Sequence, residues 1–449
     1  MRVEINNNII ESALSDTLKE EINFNIKGVS IDSRNFKKGD LFIALKGEKC
    51  HGADFINSNL IDKAAHIISD IKIDSDKSTL VDDSRRFLID FASCFRGKIK
   101  TKIIGITGSN GKTSTKELLK DFLKTKYDIS HSKANYNTTV SLPLSLLACN
   151  TNSDYCVLEM GASKTGEIGI LSEICKPDFG LITNISEAHI AGYKDFNDLV
   201  KTKLALFESV SNSNGMLFLN KDDLHITNNY DKKSNKIISY SLNDVNSDFV
   251  GDLSEINQGI VSINNNLFNV PYRTNVFAFN FLASYSIAST FGVDSASIQN
   301  TLDQFELPEG RGDYLNINSN TIINDSYNAN LESMVFGIAQ LKSMKNTEYK
   351  IILILGDMLE LGDRSEYNHK KLGKYINGLN FIDCVCGYGD LISDTLDCIN
   401  NPKIIKRYFR KKDLLEEYLK SYVSKNDILY LKGSRSLSLE TIIDKVFKV

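Results

Sequence analysis

The stretch "GITGSNGKTS", residues 105–114, follows the apolar run "TKIIGIT" and leads into "TSTKELLKDFLKTK", where Leu118, Leu119, Phe122 and Leu123 share one helical stripe. A glycine-containing turn between strand and helix aims several backbone N–H groups at one point, and the positive end of the helix adds to their field. Gly108, Ser109, Asn110 and Gly111 allow that turn, Lys112 adds an ammonium and Thr113 a hydroxyl. The combination reads as a cradle for a polyphosphate, with Lys112 on the phosphates and Thr113 placed to ligate Mg²⁺. Its spacing departs from the common loop G-x-x-x-x-G-K-[ST]: the position five before Gly111 holds Ile106.

Strand–loop–helix units continue on either side. After residue 97 come "DYCVLEM", "DFGLITNI" and "GMLFLN", separated by helical patterns, and the alternation repeats beyond Pro308 with "TIINDSY", "YKIILILGDM", "FIDCVCGYG", "KIIKRYF" and "DILYLKGSR". Such alternation predicts parallel sheets covered on both faces, with ligand groups at the carboxyl ends of the strands. Before residue 97, "GVSIDSR", "DLFIAL" and the helical "DDSRRFLIDFASCFRGK" predict a smaller α/β unit. At 449 residues, 42% hydrophobic and 24% charged, the chain suits three domains of about 150 residues each, divided at 1–97, 98–308 and 309–449. The polar stretches 227–235 and 243–266 read as surface loops and short hairpins.

A net charge of −4 argues against a nucleic-acid partner that needs a broad basic surface. The eight cysteines have no C-x-x-C spacing and are expected to be buried reduced thiols, Cys384 and Cys386 sharing one strand face. "MRVEINNNIIESAL" lacks the features of a signal peptide and no apolar stretch approaches 18 residues, so a cytoplasmic protein without membrane insertion is expected.

Two strand ends carry polar groups that packing does not require: Glu159 in "CVLEMGAS", and Asn184 followed by His189 in "GLITNISEAHI". Together with "TGSNGKT" and Lys203 in "VKTKLALFE", they resemble the central domain of the Mur ligases, ATP-dependent amide-forming enzymes that include the folylpolyglutamate synthetases. The family's loop is G-x-x-G-K-T, which accounts for the spacing.

The resemblance extends to the other two domains. "DSRNFKKGDLFIALKGEKCHGADFI" is similar to the UDP-sugar-holding domain of the muramyl-peptide branches, with Asp32, Ser33 and Arg34 on the uridine side; folylpolyglutamate synthetases lack such a domain. "NDSYNANLESM" (324–334), "LGDMLELGDRSEYNH" (355–369) and "KGSRSLSLE" (432–440) resemble the branch that adds D-alanyl-D-alanine to UDP-N-acetylmuramoyl-tripeptide, and the D-N-P-R stretch of the branch adding diaminopimelate is absent. Two other readings stay open on sequence: a ligase adding the third residue, and a nucleotide-binding switch without ligase chemistry. Departures from the family pattern are His51 for Asp, Leu331 for Pro, Leu437 and Leu439 for Met, Thr138 and Ser141 within "KANYNTTVSLP", and Val276-Phe277 where His-Asn precedes Asn280.

The resemblance implies a three-domain α/β enzyme, with a doubly wound ATP-binding centre and a Rossmann-like C-terminal domain, acting as a monomer with ATP and Mg²⁺. It implies nucleotide contacts from Gly108 to Ser114, Asn280, Arg311 and Asp325. Metal contacts would come from Thr113, Glu159, His189 and Lys203, and substrate contacts from Ser33, Arg34, Asn135, Asn137, Thr138, Tyr327, Asn328 and Asn330. Lys112, His189 and Lys203 would be catalytic, Lys203 as a carbamate formed with CO₂. The reaction would activate a peptide carboxylate as an acyl phosphate before the amine attacks.

Overall fold

A computed structural model describes residues 1–5, 7, 9–133, 135–230, 236–345 and 348–447. The expected loop at 227–235 therefore lies partly outside the described residues, at 231–235.

The strand that feeds the loop, Lys102–Thr107, is buried from Ile103 onward, as a strand covered by helices on both faces must be. It sits inside a nine-stranded sheet ordered Asn266–Asn269, Ile260–Ile263, Phe249–Asp252, Ile237–Ser241, Met216–Asn220, Phe179–Ile182, Lys102–Thr107, Tyr155–Glu159, Ile129–His131. The strands are parallel except for the Phe249–Asp252, Ile260–Ile263 and Asn266–Asn269 meander. The short hairpin expected within 243–266 is present, and with Phe249–Asp252 it extends the sheet. The hairpin turns at Asn264 and Asn265, both with positive φ (48° and 66°), as a two-residue turn matched to strand twist requires.

The loop strand has Phe179–Ile182 on one side and Tyr155–Glu159 on the other. Chain order reverses there, so the ends carrying Glu159 and Asn184 flank the loop. The helix Lys112–Lys124 buries Leu118, Leu119, Phe122 and Leu123 against the almost wholly buried helix Asn275–Thr290, with Phe122 edge-on to Phe281.

The N-terminal sheet has five strands in sequence order, Arg2–Glu4, Gly28–Ser30, Asp40–Ala44, His66–Ser69 and Ser78–Leu80, of which only the first pair is antiparallel. The C-terminal sheet has six, ordered Asp313–Ile317, Asn320–Asn324, Ile428–Lys432, Ile351–Gly356, Cys384–Tyr388, Ile405–Phe409, again with only the first pair antiparallel. Alternate residues of its strands enter different cores. Ile351 and Leu353 join the apolar cluster that runs through the N-terminal domain and one face of the central sheet, while Ile352 and Ile354 line the opposite face.

Cys149, Cys156, Cys175, Cys384 and Cys386 are buried free thiols, and the Cys384 and Cys386 sulfurs lie 3.8 Å apart on one face. The expectation fails for Cys50, which is exposed in the turn "KGEKC", and for the half-buried Cys94 and Cys398.

Candidate active site

The loop is held by hydrogen bonds to the neighbouring strand end. Ser109 N donates to Asn184 O (2.8 Å), Asn110 N to Asn184 Oδ1 (2.9 Å), Ser109 Oγ to Ser186 O (2.9 Å) and Thr183 Oγ1 to Asn110 O (2.6 Å). Gly108 has φ 147°, and a Cβ there would lie 1.9 Å from Thr183 Oγ1; Gly111 has φ 81°, and a Cβ would meet Asn280 Oδ1 at 2.3 Å. Both glycines are needed for backbone conformation and for space. Asn280 accepts from Thr115 Oγ1 (3.3 Å), so this predicted nucleotide residue abuts the start of the loop helix.

Lys112 Nζ curls back onto the carbonyls of Gly108 (2.9 Å) and Ser109 (3.1 Å). Burial lowers its pKa to about 8, Arg311 adding to that effect and Glu159 opposing it. Thr113 Oγ1 donates to Glu159 Oε2 (2.8 Å), and Asn137 Nδ2 donates to Glu159 Oε1 (2.7 Å). Glu159 is 1% exposed, so this aimed carboxylate and hydroxyl form one oxygen pair beside the loop. Hard oxygen donors next to a phosphate cradle fit Mg²⁺, which takes few protein ligands and completes its shell with phosphate and water.

Lys203 is 3% exposed and donates to Gly108 O (3.1 Å). Burial, and after it the Lys112 charge, holds its amine well below the ordinary lysine range. His189 sits at φ 57° with Nδ1 against Glu360; burial keeps its imidazole pKa below the usual value, although Glu360 acts the other way. The loop thus gathers Lys112, Thr113, Glu159, Lys203 and Asn137.

From the C-terminal domain, Arg311 stacks its guanidinium 3.7 Å from the Tyr327 ring centroid, with Arg435 5.4 Å away on the same ring. Asp325 accepts from Lys432 Nζ (2.6 Å) and Tyr430 Oη (2.8 Å). Asn330 Nδ2 donates to Asn110 Oδ1 (2.8 Å), linking this domain to the loop, while Asn330 Oδ1 caps the helix Leu331–Gln340. Leu331 is the first residue of that helix, where proline is favoured but not required, so the cap survives the departure.

Other predicted substrate residues have structural partners. Thr138 Oγ1 accepts from Val140 N and Ser141 N and meets Ser141 Oγ, which starts the helix Ser141–Leu147; Asn328 Oδ1 accepts from Ala329 N. Asn135 is exposed. Arg34 forms a bidentate pair with Asp32 in the N-terminal domain, and Ser33 lies beside it, away from the loop. Sequence reading missed Lys432 and Tyr430. "LYLKGSR" placed a lysine at a strand end, but only the sheet order puts that strand beside Asn320–Asn324.

A cavity of about 580 Å³ opens between the central and C-terminal domains, lined on one side by Arg273, Asn275 and Val276 and on the other by Phe336, Gln340 and Lys342. Val276 stands one turn before Asn280 on the same helix face. Phe277, the other departure, is buried at 2% exposure.

Fold and site define a three-domain α/β protein with a glycine-containing strand–helix loop at the switch point of its central sheet and a side chain of a second doubly wound domain reaching that loop. Family models for the Mur ligase middle domain, the Mur ligase glutamate ligase domain and the Mur ligase family catalytic domain match residues 106–288, 310–435 and 25–75. The chain is 31% identical over 427 residues to the UDP-N-acetylmuramoyl-tripeptide–D-alanyl-D-alanine ligase of Bacillus subtilis, covering 93% of this chain and 92% of that one. It superposes on the MurF ligase of Thermotoga maritima in complex with ADP with a TM-score of 0.80 at 27% identity, over 93% of this chain and 96% of that one. Against MurF from Acinetobacter baumannii the TM-score is 0.84 at 23% identity, with 99% of each chain covered. The chain belongs to the Mur ligase family.

Proposed function

We propose that this chain joins D-alanyl-D-alanine to UDP-N-acetylmuramoyl-tripeptide at the expense of ATP, through an acyl phosphate. The observation that carries the reading is the buried Thr113–Glu159 pair, joined by the half-buried Asn137, beside a loop that carries Lys112 and receives Lys203. Full-length likeness to relatives named for this reaction supports it.

The three units, taken as 1–97, 98–308 and 309–449, divide the work. Gly108–Ser114 hold the triphosphate, Asn280 and the adjoining cavity take the nucleoside, and Asp325 and Arg311 approach from the C-terminal domain. Thr113, Glu159, His189 and a carbamylated Lys203 would hold Mg²⁺, which supplies charge neutralisation for phosphoryl transfer when bound. Lys112 stabilises negative charge on the transferring group. The peptide carboxylate takes the γ-phosphoryl group, the dipeptide amine attacks the resulting acyl carbon, and phosphate leaves. Ser33 and Arg34 serve the uridine end of the substrate, and Asn135, Asn137, Thr138, Tyr327, Asn328 and Asn330 serve the peptide and its acceptor. No helix among the described residues is long and apolar enough to cross a membrane; a cytoplasmic monomer is the working reading.

Phosphate release from ATP should require both UDP-N-acetylmuramoyl-tripeptide and D-alanyl-D-alanine, and product mass should equal the sum of the two less one water. Supplying lysine- and diaminopimelate-ended tripeptides separately identifies the natural one. Release with the dipeptide-ended nucleotide and a free amino acid instead would assign the chain to the branch that adds the third residue.

A further inference from the structure

The central and C-terminal domains meet at two short segments whose backbones are held in the left-handed region at matching points. His189 has φ 57° on one side and Glu360 has φ 62° on the other. Their side chains are hydrogen-bonded through His189 Nδ1 and Glu360 Oε2, and Ala191 N donates to Glu360 O (3.3 Å). Four residues further along, Arg364 pairs with Glu187. Gly362, at φ 54°, lies so close that a Cβ would stand 3.2 Å from the Ala191 methyl. Strained backbone of this kind persists where surrounding contacts over-determine it. Here the contacts come from the opposite domain.

A carboxylate oxygen only accepts, so the proton of the His189 ring lies on Nδ1 and its lone pair on Nε2. Nε2 has no hydrogen-bond partner among the described residues. Lys112 and Lys203, whose amines both donate to Gly108 O, are close enough to act on the ring electrostatically. The ring therefore has one nitrogen tied to the C-terminal domain and the other left open at the site.

We propose that Glu360 is a positioning residue for the phosphoryl-transfer site: it selects the His189 tautomer whose Nε2 can ligate the metal, and does so only while the C-terminal domain is docked. Carboxylates that orient a ligating histidine through its second nitrogen are a recurring feature of metal sites. In this chain the orienting group belongs to a different domain from the ligand, so docking and completion of the metal site become one event. The proposal rests on the reading that His189 faces the metal.

Full-length protein carrying ¹⁵N-histidine reports the tautomer directly, with His189→Ala assigning the resonance. The wild type should show His189 protonated at Nδ1 only; Glu360→Ala should give a mixture or a shift to Nε2–H, and Glu360→Gln, which keeps an acceptor oxygen, should fall between. With ADP present, Mn²⁺ affinity measured by the free-ion EPR signal should fall about 10-fold or more in Glu360→Ala, and comparably in His189→Ala. Thermal unfolding of Glu360→Ala separates this effect from loss of fold. An unchanged tautomer in Glu360→Ala, or unchanged Mn²⁺ affinity there while His189→Ala loses it, overturns the positioning role. Unchanged affinity in His189→Ala overturns instead the metal reading beneath it, which the tautomer measurement does not depend on.

Discussion

Lys203 is a lysine amine with no carboxylate partner among the described residues, buried beside a second ammonium. An unpaired buried charge is costly, and burial favours the neutral amine that carbamate formation needs. Adding CO₂ to that nitrogen with loss of one proton would replace a repelled ammonium with an anion among cations. Lys203→Ala should abolish most turnover, and a short carboxylic acid should partly restore it where bicarbonate does not. The exposed Lys201 provides the control: Lys201→Ala should do neither, and full activity of Lys203→Ala would sink the assignment. Lys112→Ala should slow turnover by about 10²-fold or more, as expected when a charge on the transferring group is lost. Lys112 was legible as a polar group at a helix start, where packing gives no reason for it, whereas Lys203, in the middle of the helix Phe196–Asn212, was legible only through the family resemblance. The partner of Asn330 was not, because it lies 220 residues away at Asn110 and the pair forms only when two domains dock.

Among the elements, strand order carried most of what the sequence could not express. The alternation of apolar strands and striped helices predicted the doubly wound sheets, yet periodicity alone could not place Ile428–Lys432 between Asn320–Asn324 and Ile351–Gly356, the register that gives Asp325 its Lys432 and Tyr430 partners. Helix Leu331–Gln340 crosses this strand so closely that a Cβ on Gly337 would lie 1.8 Å from Tyr430 Oη. Gly337→Ala should therefore destabilise the protein by about 1–3 kcal/mol and raise the KM for ATP by displacing Asp325; an unchanged denaturation midpoint would show that the helix shifts freely. The segment 357–369 is fastened differently. His369 is fully buried, accepts from Met358 N (3.1 Å) through Nε2 and donates through Nδ1 to Ser365 O (2.8 Å), and burial lowers its pKa. The unfolded chain then binds a proton that the folded chain refuses, so stability falls as pH drops below the ordinary histidine value of about 6.5. His369→Gln should flatten that part of the stability–pH curve, read from urea midpoints across the range.

For the whole molecule, the proposed chemistry draws on groups that no single domain possesses. The loop, Glu159 and Lys203 belong to the central domain, whereas Arg311, Asp325 and Glu360 arrive from the C-terminal one, and the contacts that join the two include the polar pairs Asn330–Asn110, Arg364–Glu187 and His189–Glu360. Closure that excludes water protects an acyl phosphate from hydrolysis. Arg311 tests this arrangement. Its guanidinium is pre-oriented against Tyr327 and lies close enough to the loop to depress the Lys112 pKa, a repulsion that a bound triphosphate would convert into joint attraction. If ATP first settles on the central domain and meets Arg311 only on docking, Arg311→Ala should leave the Kd for ATP of the substrate-free enzyme within about 2- to 3-fold, because the loop contacts remain. It should lower kcat by about 10²-fold, the scale of losing one donor that acts mainly in the transition state. Calorimetric titration of ATP beside steady-state phosphate release separates the two. Equal losses in affinity and turnover would place Arg311 on the nucleotide before closure, and the domains would then have to be docked when ATP enters.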